Sequence, residues 1–214
     1  MTLREELEAN TAARKEKMDP AEYAAIDRGI DELKAARVGA DAPSVGAIAP
    51  DFTLTDATGG AWQLSSALAS GPKVLAFYRG GWCSYCNVQL RAFQSKLDEI
   101  RDAGGELIGI TPEAPDETVT TAEKLSLTHP VLSDTGNAVA RDYGLEFEVS
   151  EGLKPLYRKL GLELERINAS GDYRLPTPGT FVVNVDGRIV WAFVDPDYRN
   201  RAEPNDVIAA LRAL

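Results

Sequence analysis

The sequence predicts an α/β fold, a central sheet at least partly parallel and flanked by helices, with a helical arm ahead of it. Three observations carry this. The apolar runs "KVLAFY" (73–78) and "ELIGIT" (106–111) bracket a stretch of helical periodicity, which makes a βαβ unit. "TFVVNVDGRIVWAFV" (180–194) is two apolar runs around Asp186-Gly187, the strongest hairpin signal in the chain. The first forty residues carry helix-start signals and one apolar stripe but no strand pattern.

In the arm, Asp19 is the expected N-cap of "DPAEYAAIDRGIDELKAARVGA", with Pro20 at the first helical position and Glu22 placed for a capping box. Tyr23, Ile26, Ile30 and Leu33 form its stripe; Leu3 and Leu7 mark a weaker stripe before it. Such an arm, residues 1–42, buries its stripe on the main domain (43–214) or on a second subunit, a homodimer being the alternative. "VGAIAPDFTLTDATGG" and "AWQLSS" read as a strand or hairpin at a Gly-Gly turn. "KVLAFY" is apolar throughout, as a strand covered on both faces should be.

One helix is expected next, striped by Cys83, Cys86, Leu90, Phe93, Leu97 and Ile100 and ended by Gly104-Gly105. "ELIGIT" follows as a strand, then a helix at 115–127, a strand at 131–132 and a helix at 136–143. Residues 145–176 read as a polar, helical excursion without a clear strand. "DPDYRNRAEP" (195–204) reads as a solvated loop before the amphipathic helix "PNDVIAALRAL".

Thirty-three acidic against 23 basic residues give a formal charge of −10, which repels phosphate backbones and anionic lipid. Nucleic acid and membrane are therefore not expected partners. The N-terminus lacks the apolar core of a secretory signal, no stretch reaches the length of a membrane span, and two cysteines are too few for a disulfide scaffold. A reducing cytoplasmic setting is the expectation. In it the pair in "FYRGGWCSYCN" (77–87) is a redox couple, half a metal site, or two small core residues. Zinc needs about four ligands, and beyond Cys83 and Cys86 the chain offers only His129. No metal and no cofactor is expected. Cys83 stands where a strand gives way to a helix, so open amides and the helix dipole favour its thiolate; it is expected to be the exposed thiol, with Cys86 one turn deeper and less exposed as its partner.

"FYRGGWCSYC" resembles the active-site turn of the thioredoxin superfamily. From Val45 onward the chain resembles the peroxiredoxin branch (the alkyl hydroperoxide reductase and thiol-specific antioxidant family), through "VGAIAPDFTLTD" and "PTPGTFVVNVDGRIV". The resemblance implies a thioredoxin-like fold with a central mixed sheet. It implies an antioxidant oxidoreductase that reduces hydroperoxides through Cys83 and Cys86 and is restored by a thioredoxin- or glutathione-type reductant. Laid on the peroxiredoxin turn, the attacking cysteine falls on Cys86, the Thr/Ser on Cys83, the proline on Arg79 and the arginine on Pro178. Laid on thioredoxin, the attacker is Cys83, Pro178 matches the cis-proline, and the buried acid is replaced by Phe77. Disulfide exchange and a redox sensor stay open beside the peroxidase reading. The expected supporting residues are Arg79, Trp82, Tyr85, Pro178 and Thr180. Arg79 either stabilises thiolate or makes a surface salt bridge. Trp82 and Tyr85 either shape a partner surface or pack.

Overall fold

The computed structural model describes residues 2–56 and 59–214. Two helices, α1 (Leu3–Lys17) and α2 (Pro20–Ala35), precede a sheet of seven strands. In chain order these are β1 (Thr53–Asp56), β2 (Ala61–Gln63), β3 (Lys73–Phe77), β4 (Glu106–Thr111), β5 (Val131–Ser133), then β8 (Gly179–Val183) and β9 (Ile189–Val194). Helices α3 (Leu64–Ala67), α4 (Ser84–Ser95), α5 (Leu97–Asp102), α6 (Pro115–Leu125), α7 (Ala138–Asp142) and α10 (Pro204–Arg212) connect and cover them. The order across the sheet is β2-β1-β5-β4-β3-β8-β9. The strands β3, β4 and β5 are parallel at its centre, and the outer strands pair antiparallel. The βαβ unit and the hairpin fall as expected, so the sheet is mixed.

Alternation along β3 explains the two layers. Leu75 and Phe77 enter one core with Tyr143 and Phe181, while Val74 and Ala76 enter the other with Phe93, Ile100 and Leu211. Because β3 is covered on both faces, its run is apolar at every position but the first. Lys73, its first residue, is buried with its ammonium 2.9 Å from Glu106.

Several expectations are corrected. The helix after the cysteines is two helices, because Lys96 leaves helical geometry (φ −109°, ψ 9°) while the apolar spacing continues into α5. Residues 145–176 contain strands after all: β6 (Glu146–Glu148) and β7 (Arg174–Pro176) pair antiparallel, with α8 (Lys154–Lys159) and α9 (Leu164–Ile167) between them. Each strand is three residues long, too short to show a period of two. Asp19 caps α2 through the amides of Ala21 and Glu22, but Glu22 does not close a capping box; its carboxylate pairs with Lys159 on α8 instead. The Gly-Gly turn between β1 and β2 holds, although Ala57 and Thr58 lie outside the described residues.

The arm packs on its own chain. Leu3 and Leu7 of α1 bury against α4, and Ile26 and Ile30 of α2 bury against Leu156 of α8. At its start the α1 amides of Leu3 and Arg4 donate to the Glu203 carboxylate, an acid where the helix dipole favours one. On α2, Asp27 pairs with Arg199 at 2.7 Å and Lys34 with Asp197 at 3.1 Å. Among the described residues no helix is long and apolar enough to cross a membrane.

Candidate functional site

The site lies at the C-terminal end of β3, where the chain leaves the sheet through Tyr78, Arg79, Gly80 and Gly81 to start α4. Two glycines are required by space. Gly80 sits at φ +142°, and a Cβ there would meet the Trp82 ring nitrogen at 2.3 Å. At Gly81 a Cβ would lie 2.0 Å from the Thr121 hydroxyl of α6. Cys83 is the N-cap of α4, in extended geometry (φ −86°, ψ 111°), which sets it at the positive end of the helix dipole, with the Cys86 amide among the groups that lower its thiol pKa. Cys86 lies one turn on.

Both cysteines are reduced, and neither is exposed: Cys83 is 5% accessible and Cys86 0%. The expectation of an exposed thiol at Cys83 is thus corrected. Cys83 instead lines a chamber of about 240 Å³, and Cys86 is not among the residues that line it. The reason is coverage by the arm, whose Arg14, Met18 and Ile26 form one wall.

The two thiols split electrostatically. The Cys83 thiol is held well below the usual cysteine range, first by the hydrogen bond from the Cys86 side chain; burial opposes this, and Arg79 and Arg201 add to it. The Cys86 thiol is pushed up by burial and by the neighbouring Cys83 sulfur. One thiolate stabilised by a thiol beside it is the ordinary arrangement of a reactive dithiol.

Arg79 is not a surface salt bridge. It is 2% exposed, and no carboxylate stands within ion-pair distance among the described residues. Its guanidinium lies 4.0 Å from the Tyr198 ring centroid and 5.0 Å from that of Trp82, and donates to the Tyr157 hydroxyl. Burial opposes its charge, but Tyr157, the Cys83 sulfur and Tyr198 outweigh burial and raise its pKa. Its Nε has no partner among the described residues.

Trp82 packs edge-on to Tyr157 at 6.0 Å, and Tyr85 is 4% exposed with its hydroxyl 3.1 Å from that of Thr11 on α1. Tyr85 is thus covered by the arm, while Trp82 is half-buried and lines the chamber with it. Pro178 and Thr180 are buried at the same end of the sheet. Thr180 pairs with Ala76, and Pro178 stands one register step beyond the Phe77–Gly179 pair. The Thr177–Pro178 bond is trans, against the expectation carried by the thioredoxin alignment. Thr177 is fixed from both sides, its amide donating to Leu145 and its hydroxyl to Asp195, in a chain that runs extended into β8. His129 is buried with Nδ1 3.0 Å from the Pro130 carbonyl, away from the cysteines in the core beside Gly109.

The reading of 195–204 as a solvated loop is overturned. Arg201 is 7% exposed, with Nη2 3.5 Å from the Cys86 sulfur and Nη1 3.2 Å from Gln89. Tyr198 stacks on Arg79, while Asp197 and Arg199 hold the arm. The loop alternates residues that face the sulfurs with residues that anchor α2. Charge and aromatics mixed without period gave no signal, and Arg201 meets Cys86 from 115 residues away.

Sequence reasoning also missed Glu113. It is 2% exposed and accepts the Gly81 amide at 2.9 Å, with the Thr121 hydroxyl 3.4 Å from its other oxygen. Burial raises its carboxyl from 4.5 to about 7. The sign follows by linkage. Between about pH 4.5 and pH 7 the unfolded chain has released a proton that the folded chain still holds, so this group makes stability fall as pH rises through that window, by about 3 kcal/mol in all. Asp134, raised to about 6 by burial, acts in the same direction. Urea unfolding at the two pH values should therefore give a shallower loss for Glu113→Gln than for the wild type. Equal losses would mean that Glu113 is ionised throughout.

A thioredoxin-type sheet carrying a reduced cysteine pair at the first turn of the following helix defines a thiol redox protein. Residues 45–192 match the AhpC/TSA family. A putative peroxiredoxin of Mycobacterium tuberculosis is 33% identical over 145 residues, covering 67% of this chain and 80% of that protein. The chloroplastic peroxiredoxin Q of Gentiana triflora is 33% identical over 102 residues, covering 48% of this chain and 46% of that one, so the match spans about half of the plant protein. The crystal structure of peroxidoxin BcpB from M. tuberculosis superposes with a TM-score of 0.63 at 23% identity, over 79% of this chain and 97% of that chain. The chain belongs to the AhpC/TSA family, the peroxiredoxin-like branch of the thioredoxin superfamily.

Proposed function

We propose that this protein is a thiol-dependent peroxidase in which Cys83 attacks and Cys86 resolves. The Cys83 thiolate attacks the distal oxygen of a hydroperoxide and breaks the O–O bond, giving a sulfenic acid and expelling an alkoxide or hydroxide that takes up a proton. The Cys86 thiol then attacks that sulfur, forming the Cys83–Cys86 disulfide and releasing water. Two equivalents of an external thiol restore the dithiol and leave as a disulfide.

What carries the reading is a low-pKa thiol at Cys83, a residue lining a chamber, beside a buried guanidinium that has no carboxylate partner among the described residues. Arg79 stabilises the thiolate before attack and the negative oxygen that leaves, which is where a fixed charge counts most. Arg201 does the same for the Cys86 side. Trp82, Tyr85 and Tyr157 keep these groups packed, and Pro178 and Thr180 hold the neighbouring strand. A cycle that must be reset by thiols fits a reducing cytoplasm.

Stopped-flow mixing of the reduced protein with hydrogen peroxide, an organic hydroperoxide and a small disulfide tests the reading. One equivalent of peroxide should consume both thiols, faster than the small disulfide does. Oxidation by the disulfide alone would make the protein a thiol–disulfide oxidoreductase instead.

A further inference from the structure

We infer that the thiol which resets the Cys83–Cys86 disulfide is a small molecule carrying a carboxylate, admitted to the chamber by Arg14 and Arg79, and that docked protein thiols are shut out by the N-terminal arm. This deepens the peroxidase reading and rests on its disulfide intermediate.

Two sets of observations lead there. The first is size and cover. The chamber that Cys83 lines is about 240 Å³, below the range of ordinary ligand sites. Met18 of the arm, Leu160 after α8 and Trp82 line its walls, and the arm and α8 are joined nearby by the Glu22–Lys159 ion pair. Asp27–Arg199, Lys34–Asp197 and the Glu203 cap tie the rest of the arm down. A redoxin presents its cysteine from its own surface and must lay that surface against the target sulfur; Cys83, 5% exposed, is not offered at such a surface.

The second is charge. No Asp or Glu lines the chamber, yet two arginines do. Neither has a carboxylate partner among the described residues, and Arg79 is 2% exposed with an unused Nε. Just outside, Asp19 caps α2 and Glu22 is held by Lys159, so both acids of the vestibule are occupied. On a chain of formal charge −10 this is a local cationic well. Arg14 lies in the arm, before the residues that match the family.

The steps balance. The reductant thiolate attacks Cys83, forming a mixed disulfide and expelling the Cys86 thiolate, which takes up a proton. A second reductant thiolate attacks the reductant's own sulfur in that mixed disulfide, releasing the Cys83 thiolate and a low-mass disulfide.

The test uses the full chain. Oxidise it with hydrogen peroxide, or with diamide if peroxide fails, remove the oxidant, and follow the return of two thiols. The probes are mercaptoacetate, 2-mercaptoethanol, cysteamine and reduced thioredoxin. Each small-thiol rate is divided by that thiolate's rate with a neutral small disulfide, which cancels intrinsic nucleophilicity. The corrected rate for mercaptoacetate should exceed that for cysteamine by about tenfold at low salt, with 2-mercaptoethanol between them. Arg14→Gln should shrink that ratio, and thioredoxin at equal thiol concentration should be no faster than mercaptoacetate. Faster reduction by thioredoxin, or a charge order that is flat or reversed, overturns the inference. A disulfide formed by diamide but not by peroxide sinks the peroxidase reading while this comparison still runs. A chain that forms no disulfide with either oxidant sinks both.

Discussion

Replacing Cys83 by serine should lower hydroperoxide consumption on the order of a thousandfold or more, to the background of an unassisted reaction. Cys86→Ser should behave differently. Its first turnover should survive, because Cys83 keeps Arg79 and a hydroxyl that can donate where the Cys86 thiol did. Steady-state turnover should then stop, with a sulfenic acid at Cys83 that a dimedone-type reagent traps. The asymmetry follows from geometry: Cys83 lines the chamber, whereas Cys86 is sealed beneath it with its pKa raised by burial. Rapid-mixing kinetics and intact mass decide it. If Cys83→Ser kept the first turnover and Cys86→Ser lost it, the attacker would be Cys86, as the peroxiredoxin alignment has it.

Arg79→Met should slow peroxide attack by about tenfold to a hundredfold, the usual loss when one preorganised charge is removed from a developing anion. Two effects combine. Arg79 is among the groups that hold the Cys83 thiol down, so its removal moves the thiol back toward the ordinary range and leaves less thiolate at neutrality. It also removes the cation nearest the oxygen that departs. Titrating the thiolate by its ultraviolet absorbance separates the two: the rate compared at full ionisation reports only the second. Methionine keeps most of the volume between Tyr198, Trp82 and Tyr157, so the fold should be retained. Arg201→Met should move the Cys83 titration less, since its effect on that sulfur is the smaller of the two. An unchanged titration and an unchanged rate in Arg79→Met would reduce Arg79 to a packing residue.

Much of this was legible in residue order. β3 and β4 announced themselves by unbroken apolar runs, because strands covered on both faces leave few polar positions. The hairpin at Asp186-Gly187 and the Asp19-Pro20 helix start were legible because turns and caps are short-range chemistry. Elements shorter than a period were not legible: β6 and β7 have three residues each, and the break at Lys96 leaves the apolar spacing intact. The surroundings of the cysteine pair were half visible. Arg79 was noticed for its place beside the cysteines. Arg201, Tyr198 and Glu113 went unnoticed, since their importance depends on partners that no local pattern encodes.

The sequence by itself determined the parallel core, the position of the cysteine pair at a strand-to-helix turn and the family to which the chain belongs. Each of these rests on neighbours a few residues apart. Tertiary structure decided which sulfur is reachable, which arginines surround the pair and what the arm covers. Those outcomes depend on burial and on fields between distant segments, and both exist only once the chain has closed on itself.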